Sequence, residues 1–315
     1  MRVLVTGGFG YLGGRISQSL FKKGYQVVLG TREKKTSNWL PQAEVVELIW
    51  SDEESLLAAC KNIDIVIHAA GMNAQDSALD PVAAMELNGV STARLVQASI
   101  FAGVTKFVYL SSVHVYGSPL NGNIDEDSCA LNLDPYATSH IAGENAVLYQ
   151  AKNVDSFSAV VLRLSNMVGT PTHKNTNCWM LAVNDFCRQT IERRSIEIKS
   201  PSGIARDFIS ISILCEAIAV IILDMGMNNN YKTTGRIINI ASSIAITLKE
   251  VANIISNRAD VLFGYMPKII SKDVQKYTQS SLFISNDRLK NIIQVDANLE
   301  NEIDQLLLKC KKWFG

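Results

Sequence analysis

Arg2-Val3-Leu4-Val5-Thr6-Gly7-Gly8-Phe9-Gly10-Tyr11-Leu12-Gly13 is the stretch that decides the fold. A short apolar run passes directly into glycines at 7, 10 and 13, and helix-forming sequence follows. A glycine at the strand end permits a tight turn, a second lets backbone approach a pyrophosphate, and a third lets helix and strand pack closely. The helix N-terminus then faces the anion. Three spaced glycines elsewhere would mean little, but between a strand and a helix they read as a dinucleotide site rather than a plain glycine-rich turn.

Outward from that loop, short β-branched runs alternate with longer helical stretches, which predicts an α/β fold built on a doubly wound parallel sheet. Strands are expected near 2–6, 26–30, 44–48, 63–68, 106–110 and 158–164, with helices near 11–23, 53–60, 80–102 and 136–151. Gly24 ends the first helix, and Asp80-Pro81 reads as the cap and first turn of the long one. After about residue 166 the rhythm breaks at Gly169-Thr170-Pro171 and the polar run to Asn177, before a new helical stretch around 178–194. Residues 1–168 therefore form the expected nucleotide domain, with 212–240 returning to it as a helix and a strand. Residues 169–211 and 241–315 form a smaller, discontinuous region expected to bind substrate.

Composition narrows the partners. The 315 residues are 47% hydrophobic and 19% charged, and 30 basic residues balance 30 acidic ones. That excludes a disordered chain and gives no global field to recruit nucleic acid or an anionic membrane. The longest apolar run, Ala217 to Leu223, falls far short of the roughly 18 residues of a membrane span. No secretory signal precedes the first strand, so a soluble cytoplasmic protein is the expectation. Six cysteines lack any CxxC pair, and four scattered histidines form no HExxH; reduced, mostly buried thiols and no metal site are expected.

The second strand carries no acid at its end, where a carboxylate accepts from the adenosine ribose when the cofactor is NAD. Val27-Val28-Leu29-Gly30-Thr31-Arg32 puts a hydroxyl and a guanidinium there, which suits a 2′-phosphate and favours NADP(H) over NAD(H). Alternatively, Arg32 is a solvated charge in a loop that Lys34 and Lys35 make generally basic.

The TGxxGxxG spacing is followed by His68-Ala69-Ala70-Gly71, Asn88, Ser111-Ser112-Val113-His114-Val115-Tyr116-Gly117 and Tyr136-Ala137-Thr138-Ser139-His140. With Arg163-Leu164-Ser165-Asn166, Arg206-Asp207-Phe208-Ile209 and Asn239-Ile240-Ala241, this resembles the extended short-chain dehydrogenases/reductases, closest to the nucleotide-sugar epimerases, dehydratases and keto-sugar reductases. The resemblance implies a Rossmann-type sheet and a C-terminal region closing over a nucleotide sugar. It implies cofactor contacts from Gly7, Phe9, Gly10, Tyr11, Leu12, Gly13, Thr31, Arg32, His68, Ala69, Ala70, Gly71, Asn88, Leu110, Tyr136 and His140. It also implies substrate contacts from Ser112, Asn166 and Arg206, and a homodimer pairing through helices near 80–102 and 136–151.

On the same resemblance Ser112 polarises the reacting oxygen and Tyr136 transfers the proton. A phenol with an ordinary value near 10 needs help near neutrality. Family members supply it with a lysine four residues on, where this chain has His140. Three readings follow: a variant triad whose rate depends on histidine charge, a lysine from elsewhere, or a nucleotide-binding protein with little turnover. The leading expectation is keto-sugar reduction, with a retained-NAD epimerase or dehydratase and a regulatory binding protein as alternatives. His68 is either a packed or a ribose-adjacent side chain, Asn88 a polar residue beside the site, and His114 and His173 structural or exposed. Departures stand at Ile49, where relatives carry an adenine-reading Asp, and at Ser210 and Ser212, where they carry His and Asp; Arg288 is a candidate second phosphate-binding arginine in the stretch Tyr277 to Leu289.

Overall fold

The computed structural model describes residues 1–33, 35–199, 204–225, 235–271 and 281–315. Lys34 and the Tyr277–Ser280 part of the tail stretch lie outside the described residues.

The N-terminal part runs β1 (Arg2–Thr6), α1 (Tyr11–Lys22), β2 (Gln26–Thr31), β3 (Glu44–Glu47), α2 (Glu53–Cys60), β4 (Ile65–His68), α3 (Ala74–Leu79) and α4 (Pro81–Ala84). A π-helical turn, Met85–Val90, joins α4 to α5 (Ser91–Phe101), which leads to β5 (Lys106–Ser112). Next come β6 (Gly122–Ile124), α6 (Pro135–Asn153), β7 (Ser158–Leu164) and β8 (Asn166–Val168). Then follow α7 (Ala182–Arg193), β9 (Ser195–Ile198), β10 (Ala205–Ser210), α8 (Ile211–Asp224), β11 (Arg236–Ile240) and β12 (Ala245–Thr247). The last elements are α9 (Leu248–Phe263), β13 (Lys268–Ser271), β14 (Leu282–Ile284), α10 (Asp287–Lys290) and α11 (Glu300–Phe314).

Seven parallel strands form the main sheet in the order β3-β2-β1-β4-β5-β7-β11. Its strands are apolar almost throughout because both faces are covered, and the two-residue period sorts the side chains. Val3, Val5, Ile65, Ile67, Val160 and Leu162 pack against Ile16 and Leu20 of α1 and the isoleucines of α8. Their neighbours Leu4, Val66 and Val161 pack on the other face against Leu56, Leu95 and Val147 from α2, α5 and α6. Each fully buried aliphatic side chain contributes about 1.5–3 kcal/mol, so the alternation fixes both register and layer order. Helix α8 and strand β11 belong to this sheet's core.

A separate cluster joins Phe186 and Cys187 of α7, Val251 and Ile255 of α9, and Ile303 and Leu307 of α11. Glu302 ties this part to α1: it pairs with Arg15 at 3.3 Å and accepts from the Ser210 hydroxyl at 3.1 Å and the Ser212 amide at 3.3 Å. The cysteines are free thiols; five are buried and Cys129 is exposed. No group of His, Cys, Asp and Glu among the described residues can hold a metal, and no helix among them is long and apolar enough to cross a membrane.

Two elements depart from the sequence reading. The helix expected over 80–102 is capped by Asp80 and opened by Pro81 as anticipated, but it widens into the π turn around Asn88-Gly89. The helix expected from 178 starts only at Ala182, leaving residues 170–181 as a loop over the sheet's C-terminal edge.

Candidate active site

The chain builds β1, β2 and β3 in one direction and then crosses back to β4, so a crevice opens at the C-terminal ends of β1 and β4 where the order reverses. A cavity of about 780 Å³ occupies it. Gly7 turns there with φ +62°, and a Cβ on Gly13 would lie 2.2 Å from the Gly7 oxygen, so the strand-to-helix turn admits no side chain at either position. Gly10 caps α1 without a side-chain bond, leaving first-turn amides toward the cavity beside Tyr11, Leu12 and Gly13. Phe9, Ala69, Ala70, Gly71 and Leu110 also line it. Tyr11 spends its hydroxyl on the Gly169 carbonyl at 2.9 Å, tying α1 to the far wall.

At the other end, β5 delivers Ser112 and the first turn of α6 delivers Tyr136. Asp134 caps α6 by accepting from the Ala137 amide at 2.7 Å, and Pro135 opens the helix, which places Tyr136 at the rim. Burial pushes the Tyr136 phenol above its ordinary value; a hydrogen bond with Ser112 pulls it back and Asp134 adds to the rise. His140, one turn on, meets the Tyr136 ring edge-on with centroids 4.5 Å apart. Burial pushes the His140 imidazole down to about 4, which favours the neutral ring near pH 7 and weighs against a triad whose rate depends on histidine charge.

Ser111 lines the cavity beside Ser112 but has its hydroxyl engaged. Its hydroxyl donates to Glu144 at 2.5 Å, and Glu144 receives Arg163 through two further bonds of 2.9 and 2.6 Å. Arg163 also stacks 4.6 Å over the Tyr116 ring, and Tyr116 donates to Asn239 at 2.8 Å. This buried network holds the end of β5, where both serines line the cavity: the Ser111 hydroxyl is committed to Glu144, and Ser112 is the one paired with Tyr136.

Two expected cofactor contacts prove to be internal. His68 is enclosed, with Nδ1 2.7 Å from the Thr6 hydroxyl and Nε2 2.9 Å from the Thr92 hydroxyl, and does not line the cavity. Asn88 is also enclosed; its Oδ1 accepts from the Met72 amide at 2.7 Å and its amide donates to Ser139 at 3.0 Å, so it ties the cavity wall to α6. Both residues brace the site from behind.

Thr31 and Arg32 lie at the opposite rim with Glu33 and Lys35, and Glu33 pairs with Lys35 at 3.0 Å. Ile49 is exposed outside the cavity, while its neighbour Trp50 lines it and has a buried indole N–H with no partner among the described residues. On the substrate side, Asn166 lines the cavity and donates to the Asp207 carbonyl at 2.8 Å. Arg206 stands outside that lining, half-buried, with no hydrogen bond or ion pair to a described residue; Asp207 turns instead to Ser242 at 2.9 Å. Near Arg206, His114 faces the cavity rather than solvent, its imidazole lowered by burial and further by the guanidinium. Arg288 is already engaged by Asp127 at 2.7 Å and the Ile237 carbonyl at 3.0 Å, so it is not a free phosphate-binding arginine.

The model of the NAD dependent epimerase/dehydratase family matches residues 3–241. The chain belongs to this family. It is 26% identical over 337 residues to UDP-glucose 4-epimerase of Azospirillum brasilense, covering 96% of this chain and 93% of that protein. The fold is shared with MoeE5 in complex with UDP-glucose and NAD, at a TM-score of 0.80 and 23% identity with both chains fully covered. It is shared as well with RMD from Pseudomonas aeruginosa complexed with NADPH, at a TM-score of 0.77 and 20% identity over 99% of each chain.

In this epimerase/dehydratase-family protein the sequence reading missed several walls of the cavity: Trp50, the segment Met72–Asp76 that leads into α3, His114, and Asn175, Thr176, Asn177, Met180 and Leu181. The available signals were the polar run before α7, placed in a loop between two elements, and Trp50 standing next to the noted departure at Ile49.

Proposed function

We propose that this protein is an NAD(P)-dependent oxidoreductase of nucleotide sugars that reduces a keto group and prefers NADP(H). The observation that carries the reading is the pairing of Ser112 with a Tyr136 phenol that burial keeps protonated, with no cationic hydrogen-bond partner among the described residues. A protonated phenol is ready to give a proton to a carbonyl oxygen, whereas acting first as a base requires an ionisation that this environment opposes. Ser112 polarises that oxygen and Tyr136 protonates it. When bound, the nicotinamide supplies the hydride.

The residues fit such a dinucleotide. The Gly7–Gly13 turn leaves backbone room for a pyrophosphate at the α1 amides, and the cavity volume lies in the ligand range of roughly 300–1,000 Å³. Arg32 at the rim supports a 2′-phosphate, since its neighbour Glu33 is paired with Lys35. Arg206, with its donors unspent, and Asn166 are assigned to the substrate diphosphate. Residues 1–168 with 212–240 are assigned to the cofactor, and 169–211 with 241–315 to the substrate. Exposed Leu79, Val82 and Val90 along the α3–α5 segment, with Tyr149 on α6, support pairing of two copies through these helices.

The second reading is an epimerase or dehydratase that retains NAD, favoured by the uncharged Thr31 at the end of β2 and by the named activity of the Azospirillum relative. Mass spectrometry of the small molecule released on denaturation separates the two. An empty protein that binds NADPH more tightly than NADH, loses that preference in Arg32→Ala and consumes NADPH with a nucleotide 4-keto-sugar supports reduction. Stoichiometric NAD overturns it, and cofactor binding without turnover of any nucleotide sugar assigns a binding protein instead.

A further inference from the structure

We propose that Tyr109 is a positioning residue for His140: its phenol donates to Nδ1 and fixes the neutral imidazole as the Nε2–H tautomer, so that a permanent uncharged donor faces the cavity beside Tyr136. The inference rests on the cofactor reading above.

Proton accounting around Tyr109 leads there. The phenol lies 3.0 Å from His140 Nδ1 and 3.4 Å from the Asn88 carbonyl. That carbonyl already accepts the Thr92 hydroxyl at 2.7 Å. With its proton so used, Thr92 is an acceptor for His68 Nε2–H at 2.9 Å, which leaves His68 Nδ1 to accept from Thr6 at 2.7 Å. Thr6 in turn accepts from the Ala70 amide at 3.2 Å. The phenol also meets the Thr92 hydroxyl, whose oxygen already takes the His68 proton, so its single proton goes to the free acceptor at 3.0 Å, Nδ1. A neutral imidazole that accepts at Nδ1 carries its proton on Nε2. His140 lines the cavity, and Nε2 has no hydrogen-bond partner among the described residues.

Steric fit supports the assignment. Gly143 lies one turn after His140, and a Cβ there would stand 2.5 Å from both the Tyr109 hydroxyl and the Asn88 carbonyl. Only a residue without a side chain lets β5, the π turn and α6 approach closely enough for the contact. The groups facing the imidazole are the phenols of Tyr109 and Tyr136; His68 beyond Tyr109 is neutral as well, pushed down to about 3 by burial and then by His140. The nearest carboxylate on the same helix, Glu144, is committed to Ser111 and Arg163. A lysine at this position would donate by charge and free rotation; the histidine needs its tautomer set from behind.

Nitrogen-15 NMR of histidine-labelled protein without cofactor tests this, with the His140 signal identified by its loss in His140→Gln. The expected result is an Nε2–H tautomer that does not titrate between pH 5.5 and 8, and a mixed or reversed tautomer in Tyr109→Phe. A second arm measures NADPH affinity by fluorescence titration. Loss of one oriented hydrogen bond predicts that Tyr109→Phe weakens binding about three- to tenfold. The same substitution has no effect in a His140→Lys background, because lysine has no tautomer to fix. An Nδ1–H tautomer in the native protein, or an equal loss in both backgrounds, overturns the proposal. If no nicotinamide dinucleotide binds any form, the cofactor reading fails while the NMR arm still decides the role of Tyr109.

Discussion

Replacing Glu144 with Leu tests the buried network that aims Ser112. Arg163 is 5% exposed and spends its charge on Glu144 through two bonds, and Ser111 spends its hydroxyl on the same carboxylate. The substitution leaves a guanidinium out of water without a counter-charge, which costs about 3–5 kcal/mol. For 315 residues the midpoint unfolding entropy is about 0.7 kcal/mol per kelvin, so Tm falls by roughly 5–8 °C. Replacing the pair together, Glu144→Leu with Arg163→Met, removes the uncompensated charge and leaves mainly the orphaned Ser111 hydroxyl, at a cost of about 1–3 kcal/mol. The double variant is therefore more stable than Glu144→Leu alone. Urea unfolding followed by tryptophan fluorescence, with calorimetry for Tm, measures the native protein, the two single variants Glu144→Leu and Arg163→Met, and the double variant. A single-variant loss below about 1 kcal/mol, or a double variant that loses the sum of both singles, refutes the assignment of Glu144 as the counter-charge that holds Arg163.

Three more outcomes follow from the same geometry. His68 and His140 are held near 3 and 4 when folded, against about 6.5 unfolded, so the unfolded chain binds more protons below that value and stability is lost as pH falls from about 6.5. Each contributes a loss of about 2 kcal/mol between pH 7.5 and pH 5; stability unchanged over that range contradicts the burial of both rings. Tyr136→Phe abolishes turnover and leaves dinucleotide affinity within about twofold, since it removes a proton and little contact; retained activity removes Tyr136 from the chemistry. Gly143→Ala forces β5 and α6 apart and lowers Tm by several degrees, with an overpacking cost of about 1–3 kcal/mol; an unchanged Tm shows that the contact with Tyr109 is loose.

Much of the fold was legible because its signals are local. Val3-Leu4-Val5 running into Gly7, and Asp80-Pro81 opening a helix, carry their meaning within a few residues, and the Ser112–Tyr136 pair follows from the family resemblance. What stayed hidden depends on partners distant in sequence. His68 was placed against cofactor because nothing near it announces Thr6, 62 residues earlier, or Thr92, 24 later. The π turn at Met85–Val90 differs from an α-helix by too little, over six residues, to show in an apolar pattern. Tyr109 reads as one more strand aromatic until the fold sets it behind His140. The charge of His140 is not legible in the sequence, because a reference value near 6.5 carries no information about burial.

The link between Glu302 and Arg15 joins residues 287 positions apart. During synthesis at about 5–20 residues per second, α1 waits roughly 15–60 s after its emergence for the carboxylate that neutralises it. Over that interval the glycine turn can form while the helix behind it still carries an unmatched positive charge. Helix α11 thus acts as a late clasp: the contact that fastens α1 to the C-terminal part forms only once residue 302 has been made.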